Sequence, residues 1–280
     1  MTQRRHEYAP PNTLPGLLQR GRGLGATMAA EDPAAAADLV YGCIRWEWRW
    51  DAALDDRHLY LARLVRDLEL PLAPVVGMLA GDEGTRDRAA GVLALLARGG
   101  SAEARDALRA HLPPETQETP EAPEAPEAQE AGQGELRVVA PPDGPGDEPD
   151  VPALLAELER DWVDGTWCGP MRTARGLARA GAQAAGAISL LRRFWLWTPH
   201  SHERPSYLEA LAALGSAGTA EAYAESLWDC EARARLLGVE HAPDRPDVRD
   251  RLARLRDDPM EHSAVRKAAA TRLGGGSTAG

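Results

Sequence analysis

The stretch "TRDRAAGVLALLARGG", Thr85 to Gly100, decides the fold class. Ala89, Val92, Leu93 and Leu96 recur at i, i+3, i+4 and i+7, the spacing that lines apolar side chains along one side of an α-helix. The glycine pair ends the helix, and Ser101 caps the next. The same stripe returns in "LYLARLVRDLEL" at Leu61, Leu64, Val65 and Leu68, and in "DVPALLAELERDW" at Val151, Leu154, Leu155, Leu158 and Trp162. Asp32-Pro33 combines an N-cap with proline at the first helical position, where a missing N–H costs nothing. Leu70-Pro71, Thr198-Pro199 and Gly274-Gly275 stop or restart the chain. The expectation is an all-α protein of about twelve short helices, each of roughly 10 to 18 residues, without a strand pair.

Composition agrees. The 280 residues suffice for one large or two ordinary domains and a sizeable core. Ala, Leu and Arg, all strong helix formers, dominate, while Phe194 is the single phenylalanine and Lys267 the single lysine. The formal charge of −11 is concentrated: 113–150 carries all but one unit of it, and the remainder is close to neutral. That balance speaks against an electrostatic nucleic-acid footprint, which needs clustered Lys and Arg to neutralise phosphates. Cys43, Cys168 and Cys230 are widely spaced and read as reduced thiols, buried as small hydrophobes. The first 30 residues hold no apolar run of signal-peptide length, and no segment reaches the roughly 18 apolar residues of a membrane span. A soluble cytoplasmic protein is expected.

One segment departs from the helical pattern. "PPETQETPEAPEAPEAQEAGQGELRVVAPPDGPGDEPD" is Pro/Glu/Ala-rich and cannot bury enough apolar surface to offset its chain entropy. It is expected to be a disordered acidic linker over 113–150, separating helical repeats at 1–112 from a second set at 151–273, with a flexible tail at 274–280. The linker reads as an insertion between two stacked halves rather than a tether.

Self-similarity adds a family. "SAVRKAAATRLGG", Ser263 to Gly275, echoes Thr85 to Gly100: an Arg, then Ala-Ala, then Leu, then a glycine stop. "PMRTARGLARAG" is a fainter copy. This pattern resembles the second helix of HEAT-type repeats, including the phycocyanobilin-lyase-like variety, in which small Ala residues let helices approach closely. "DLVYGCIRWEWRWD" and "RFWLWTPHSHERPSYLEALAALG" are also similar to HEAT-repeat proteins of high-GC bacteria, a likeness that brings no activity with it. The resemblance implies a HEAT-like α-solenoid. Physically, amphipathic helices too short to stand alone can share a core by stacking in pairs.

The candidate site residues are aromatic and basic. "IRWEWRWD" sets Trp46, Trp48 and Trp50 at alternate positions, but a strand between two helices would have no partner. They read as a helix end and turn whose rings wedge between helices, with Asp51 capping the next helix; Trp195 and Trp197 in "RRFWLWTPH" pose the same choice between packing and partner binding. Arg172, Arg175 and Arg179 form a stripe at i, i+3 and i+7. Together with Asp51 and the tryptophans they offer a resemblance to HEAT-like alkylpurine DNA glycosylases, while "RDRLARLRDD" suits solvated i,i+4 pairing instead. "PHSHER" supplies His200, His202 and Glu203, followed by Glu240-His241 and Glu261-His262. HEAT-type deoxyhypusine hydroxylases hold two irons with repeated His-Glu pairs; only His202-Glu203 has that order, and surface positions at helix caps are the expectation for all of these residues. No nucleophile elbow, P-loop, zincin or dinucleotide fingerprint is present, and "GRGLGA", Gly21 to Ala26, follows a helix rather than a strand. The reading is a non-catalytic scaffold that needs no cofactor or metal. It binds a protein through its curved face, with nucleic-acid binding and a His/Glu metal enzyme as the alternatives.

Overall fold

The computed structural model describes residues 7–111 and 149–275. Helices α1 (Leu14–Arg20), α2 (Gly23–Glu31), α3 (Pro33–Arg45), α4 (His58–Asp67), α5 (Ala73–Gly77), α6 (Glu83–Arg98) and α7 (Ala102–His111) form the N-terminal half. The C-terminal half holds α8 (Val151–Asp164), α9 (Pro170–Ala180), α10 (Ile188–Trp197), α11 (Arg204–Ala213), α12 (Thr219–Ser226), α13 (Ala232–His241), α14 (Pro246–Asp257) and α15 (Ser263–Gly275). Short 3-10 segments precede α6, α10 and α11. The described residues contain no strand, and none of their helices is long and apolar enough to cross a membrane.

Local chemistry sets the ends. Asp32, Asp82, Ser101 and Asp150 each accept the backbone N–H three residues on, satisfying one of the donors a helix start leaves open. Gly165 closes α8 in the left-handed region at φ 66°. The described residues hold fifteen α-helices where about twelve were expected, because prolines and glycines cut the chain more finely: α5 is 5 residues long and α1 is 7. The acidic stretch lies outside the described residues except for its last two positions, as do 276–280 of the tail; α15 itself runs on to Gly275.

The apolar stripes face inward. Ala89, Val92, Leu93 and Leu96 of α6 are buried, and α6 packs on α3, α4, α5 and α7 at the centre of the N-terminal core. Each such leucine contributes about 2 kcal/mol of burial. In the C-terminal half consecutive helices pair as α8 with α9, α10 with α11, α12 with α13 and α14 with α15. The second members touch in turn, α9 on α11, α11 on α13 and α13 on α15. Cys230 and Met260, from turns of the C-terminal half, sit in the N-terminal core.

Glycines permit the closest approaches. A Cβ on Gly23 would lie 1.9 Å from the Glu225 carbonyl oxygen of α12, and one on Gly21 would meet the Cys230 sulfur at 2.5 Å. The "GRGLGA" glycines thus let the α1–α2 turn abut the C-terminal half.

Candidate functional site

The turns that join the two helices of each C-terminal pair form one edge, and the N-terminal half lies along it. Three of them are built alike. Thr198 Oγ1 accepts the His200 N–H at 3.1 Å, Asp229 Oδ1 that of Glu231 at 2.8 Å and Asp258 Oδ1 that of Met260 at 3.0 Å. The motif recurs about every thirty residues, a repeat period readable from the coordinates. Each turn, and the α8–α9 turn before them, has its own partner in the N-terminal half. Trp50 Nε1 lies 3.2 Å from Cys168 Sγ; Asp55 meets His200; the Cys230 N–H donates to the Gly21 carbonyl at 2.9 Å; Arg63 and Arg66 meet Asp258.

Buried arginines rivet this seam. Arg204 is bidentate on Asp229, with bonds of 3.1 and 2.7 Å, and also donates to the Arg20 carbonyl. Arg22 grips Glu225 at 2.6 Å. Glu261 sits between Arg63 at 2.9 Å and Arg235 at 2.7 Å, and Arg235 further donates to the carbonyls of Asp229 and Cys230. Burial opposes ionisation of Glu261, yet the charges of Arg235 and Arg63 outweigh it and hold the carboxyl at about 2. Charged groups this deep persist only when paired and hydrogen-bonded, and these are.

Asp55, His200 and Ser201 have the residue types of a hydrolytic triad, but their arrangement differs. Ser201 Oγ donates to Asp55 Oδ1 at 2.8 Å, and His200 Nδ1 lies 2.8 Å from both Asp55 oxygens. The hydroxyl therefore bonds the carboxylate, whereas a nucleophile needs the imidazole as its base. All three side chains are buried, so the constellation ties the 46–57 loop to the 198–202 turn. Glu203 is likewise committed: it accepts the N–H groups of Gly169 and Met171 at the start of α9, and the Tyr207 hydroxyl. His200, Glu203 and Glu261 are thus interior groups, a correction to the expected surface caps. Among the described residues no three His, Cys, Asp or Glu side chains converge to hold a metal ion.

The expected tryptophans divide. Trp46 follows the last residue of α3 and is 49% exposed, so it does not wedge between helices. Trp48 packs on the N-terminal core with its ring 5.5 Å from Tyr8, whose hydroxyl donates to the Trp48 carbonyl. Trp195 lies between two C-terminal core clusters, with the Arg22 guanidinium 4.1 Å above its ring. Trp197 is 43% exposed and meets Trp162 edge-on at 6.2 Å; Trp162 continues to Trp167 at 5.9 Å. With Trp50 on Cys168, next to Trp167, these rings form a belt across the seam; Val163, which follows Trp162 in α8, and Leu54, which precedes the seam residue Asp55, are also exposed.

Other expectations are corrected. Asp51 caps a turn, accepting the Ala53 N–H, while Asp56 accepts that of His58 at the head of α4. Cys43 and Cys230 are buried, but Cys168 is exposed. The arginines of α14 do not pair at i,i+4: Arg249 meets Asp244, Arg256 meets Asp257, and Arg251 is buried. Along α9, Arg172 and Arg179 are exposed while Arg175 donates to Ser206 Oγ at 3.1 Å. His202 joins the seam through its backbone N–H, which donates to Asp55. Asp55, Arg204, Arg235, Val163 and Trp167 carry no local signal that marks them beforehand; for Asp229 the recurrence with Thr198 and Asp258 is the signal that could have.

No family model, no curated protein and no solved structure matches the chain.

Proposed function

We propose that this protein is a non-catalytic scaffold, a HEAT-like α-solenoid that binds a protein partner. The binding surface is the aromatic belt at the junction of its halves. The stacking of α9, α11, α13 and α15, each with its own first helix, supports the solenoid reading. The observation that carries the binding reading is the exposure of large apolar side chains, Trp46, Leu54, Val163 and Trp197, on and beside a rigid seam. Trp is enriched where binding energy concentrates, and a surface held by buried ion pairs is ordered before a partner arrives. The committed state of Asp55, His200, Ser201 and Glu203 supports a role without a reaction.

The test compares the full-length protein with a Trp46→Ser, Trp197→Ser double variant whose circular dichroism and melting match the wild type. Photo-crosslinking in native lysate should yield a discrete protein adduct with the wild type that the variant loses. Equal crosslinking by both removes the belt as the interface. Salt-sensitive binding of duplex DNA by the wild type, lost in an Arg172→Ala, Arg179→Ala variant, would replace this reading with a nucleic-acid one.

A further inference from the structure

Beyond that reading, and independent of it, one buried arginine stands apart. Arg22, Arg63, Arg204 and Arg235 each meet a carboxylate. Arg20 is held by three carbonyls, those of Ala9, Gly16 and Trp197. Arg57 donates to Pro199, and its unpartnered Nε and Nη1 are sealed from solvent. Arg251, only 5% exposed, donates through Nε to the Leu227 carbonyl at 3.1 Å, and its two terminal nitrogens have no hydrogen-bond partner among the described residues. Its guanidinium lines a cavity of about 270 Å³ between α2, α4, Trp228 and α14.

We propose that this cavity binds a small organic monoanion, a carboxylate on an apolar body, with Arg251 taking the charged end. A buried guanidinium without a counter-ion is costly, and an anion supplied from outside relieves that cost. Burial and then the charge of Arg63 push the Arg251 guanidinium down to about 9, and the carboxylates of Asp67 and Glu261 offset this only in part. Arg63 already donates to Asp258 and Glu261, so its guanidinium is not open to a ligand. Arg254, exposed at the mouth and without an ion pair among the described residues, adds a second cation to draw the anion in.

The walls specify the rest of the ligand. Ala26, Ala30, Leu64 and the Trp228 ring give an apolar lining, and Arg251 already lies 5.1 Å above that ring. The volume falls near the lower end of small-molecule sites, room for a one-ring acid rather than a nucleotide. Asp67, also at the cavity and paired with Arg66, repels a second negative charge, which selects a monoanion over a phosphate dianion.

Isothermal titration of the full-length protein tests this with 4-phenylbutyrate, its uncharged amide and inorganic phosphate. We expect saturable binding of the carboxylate, about tenfold or more tighter than the amide, as a charge-assisted bond implies. Arg251→Met should abolish that preference while the amide binds as before. If that variant fails to fold, the exposed Arg254→Ala should still cut the preference about threefold, and Ala30→Trp, at the exposed rim, should weaken carboxylate and amide alike. Absence of carboxylate binding, equal binding of carboxylate and amide, an intact preference in folded Arg251→Met, or phosphate binding tighter than phenylbutyrate would each overturn the proposal.

Discussion

His200 and Asp55, 145 residues apart, form a buried ion pair in which the imidazole Nδ1 lies 2.8 Å from both carboxylate oxygens. Burial works against a charged imidazole here, but the hydrogen bond and charge of Asp55, with Glu203 and Asp51 behind it, raise the His200 pKa above its ordinary 6.5. Asp55 moves the other way: burial resists its ionisation, and the bonds from His200 and the Asp51 backbone hold it below 3.8.

The pair therefore stabilises the fold most between about pH 4 and about pH 6.5. Stability from His200 is complete below its unfolded pKa and is lost as pH rises through the elevated folded one. Stability from Asp55 is present above about 3.8 and is lost as pH falls. Melting temperature should decline as pH rises above about 6.5 in the wild type, and this decline should flatten in His200→Gln. An unchanged slope in that variant would assign the titration elsewhere.

Glu261→Ala should destabilise strongly. It leaves the buried Arg63 and Arg235 facing one another without the carboxylate that separates them. Urea denaturation should report a loss of about 3–5 kcal/mol. Replacing Arg63, Arg235 and Glu261 together by apolar residues should cost less than this single change, because no charge is then stranded.

The three thiols should separate kinetically. Burial pushes Cys43 up to about 12 and Cys230 up to about 11, while Cys168 is exposed. An aromatic disulfide reagent at mildly alkaline pH should modify one thiol rapidly and all three after unfolding. Cys168→Ser should remove the rapid phase, and rapid modification of Cys230 would contradict a closed seam.

Two glycine replacements should have opposite signs. Gly23→Ala drives a Cβ into the Glu225 carbonyl and should cost about 1–3 kcal/mol or more. Gly42, inside α3, has nothing within 4 Å of the added carbon, so Gly42→Ala should stabilise by about 0.5–1 kcal/mol. Chemical denaturation of both variants checks the pair.

The helices were legible because their signals are local. The stripe on α6 and the caps at Asp32 and Ser101 each lie within a few residues of what they determine. The seam was not, since Arg63 reads as an exposed residue of an amphipathic helix until Glu261, 198 positions later, folds over it. Arg251 was hidden for the same reason: in "RDRLARLRDD" nothing separates it from the solvated arginines beside it. Which tryptophans reach solvent depends on α8 and α10: the sequence marks Trp162 only as the end of an apolar stripe and Trp167 by no pattern at all, and their place in the belt follows from that neighbourhood.

Docking one half along the turn edge of the other also orders events in time. The bonds that close the seam join residues from 118 to more than 200 positions apart, so they meet the largest loop-closure entropy in the chain. Each half can gather its own helices through short-range contacts first, leaving the arginine rivets to close last. Changes at Arg22, Asp55 or Glu261 then act mainly by hastening unfolding rather than slowing folding. The lifetime of the folded molecule, more than the speed of its formation, is written in those few buried charges.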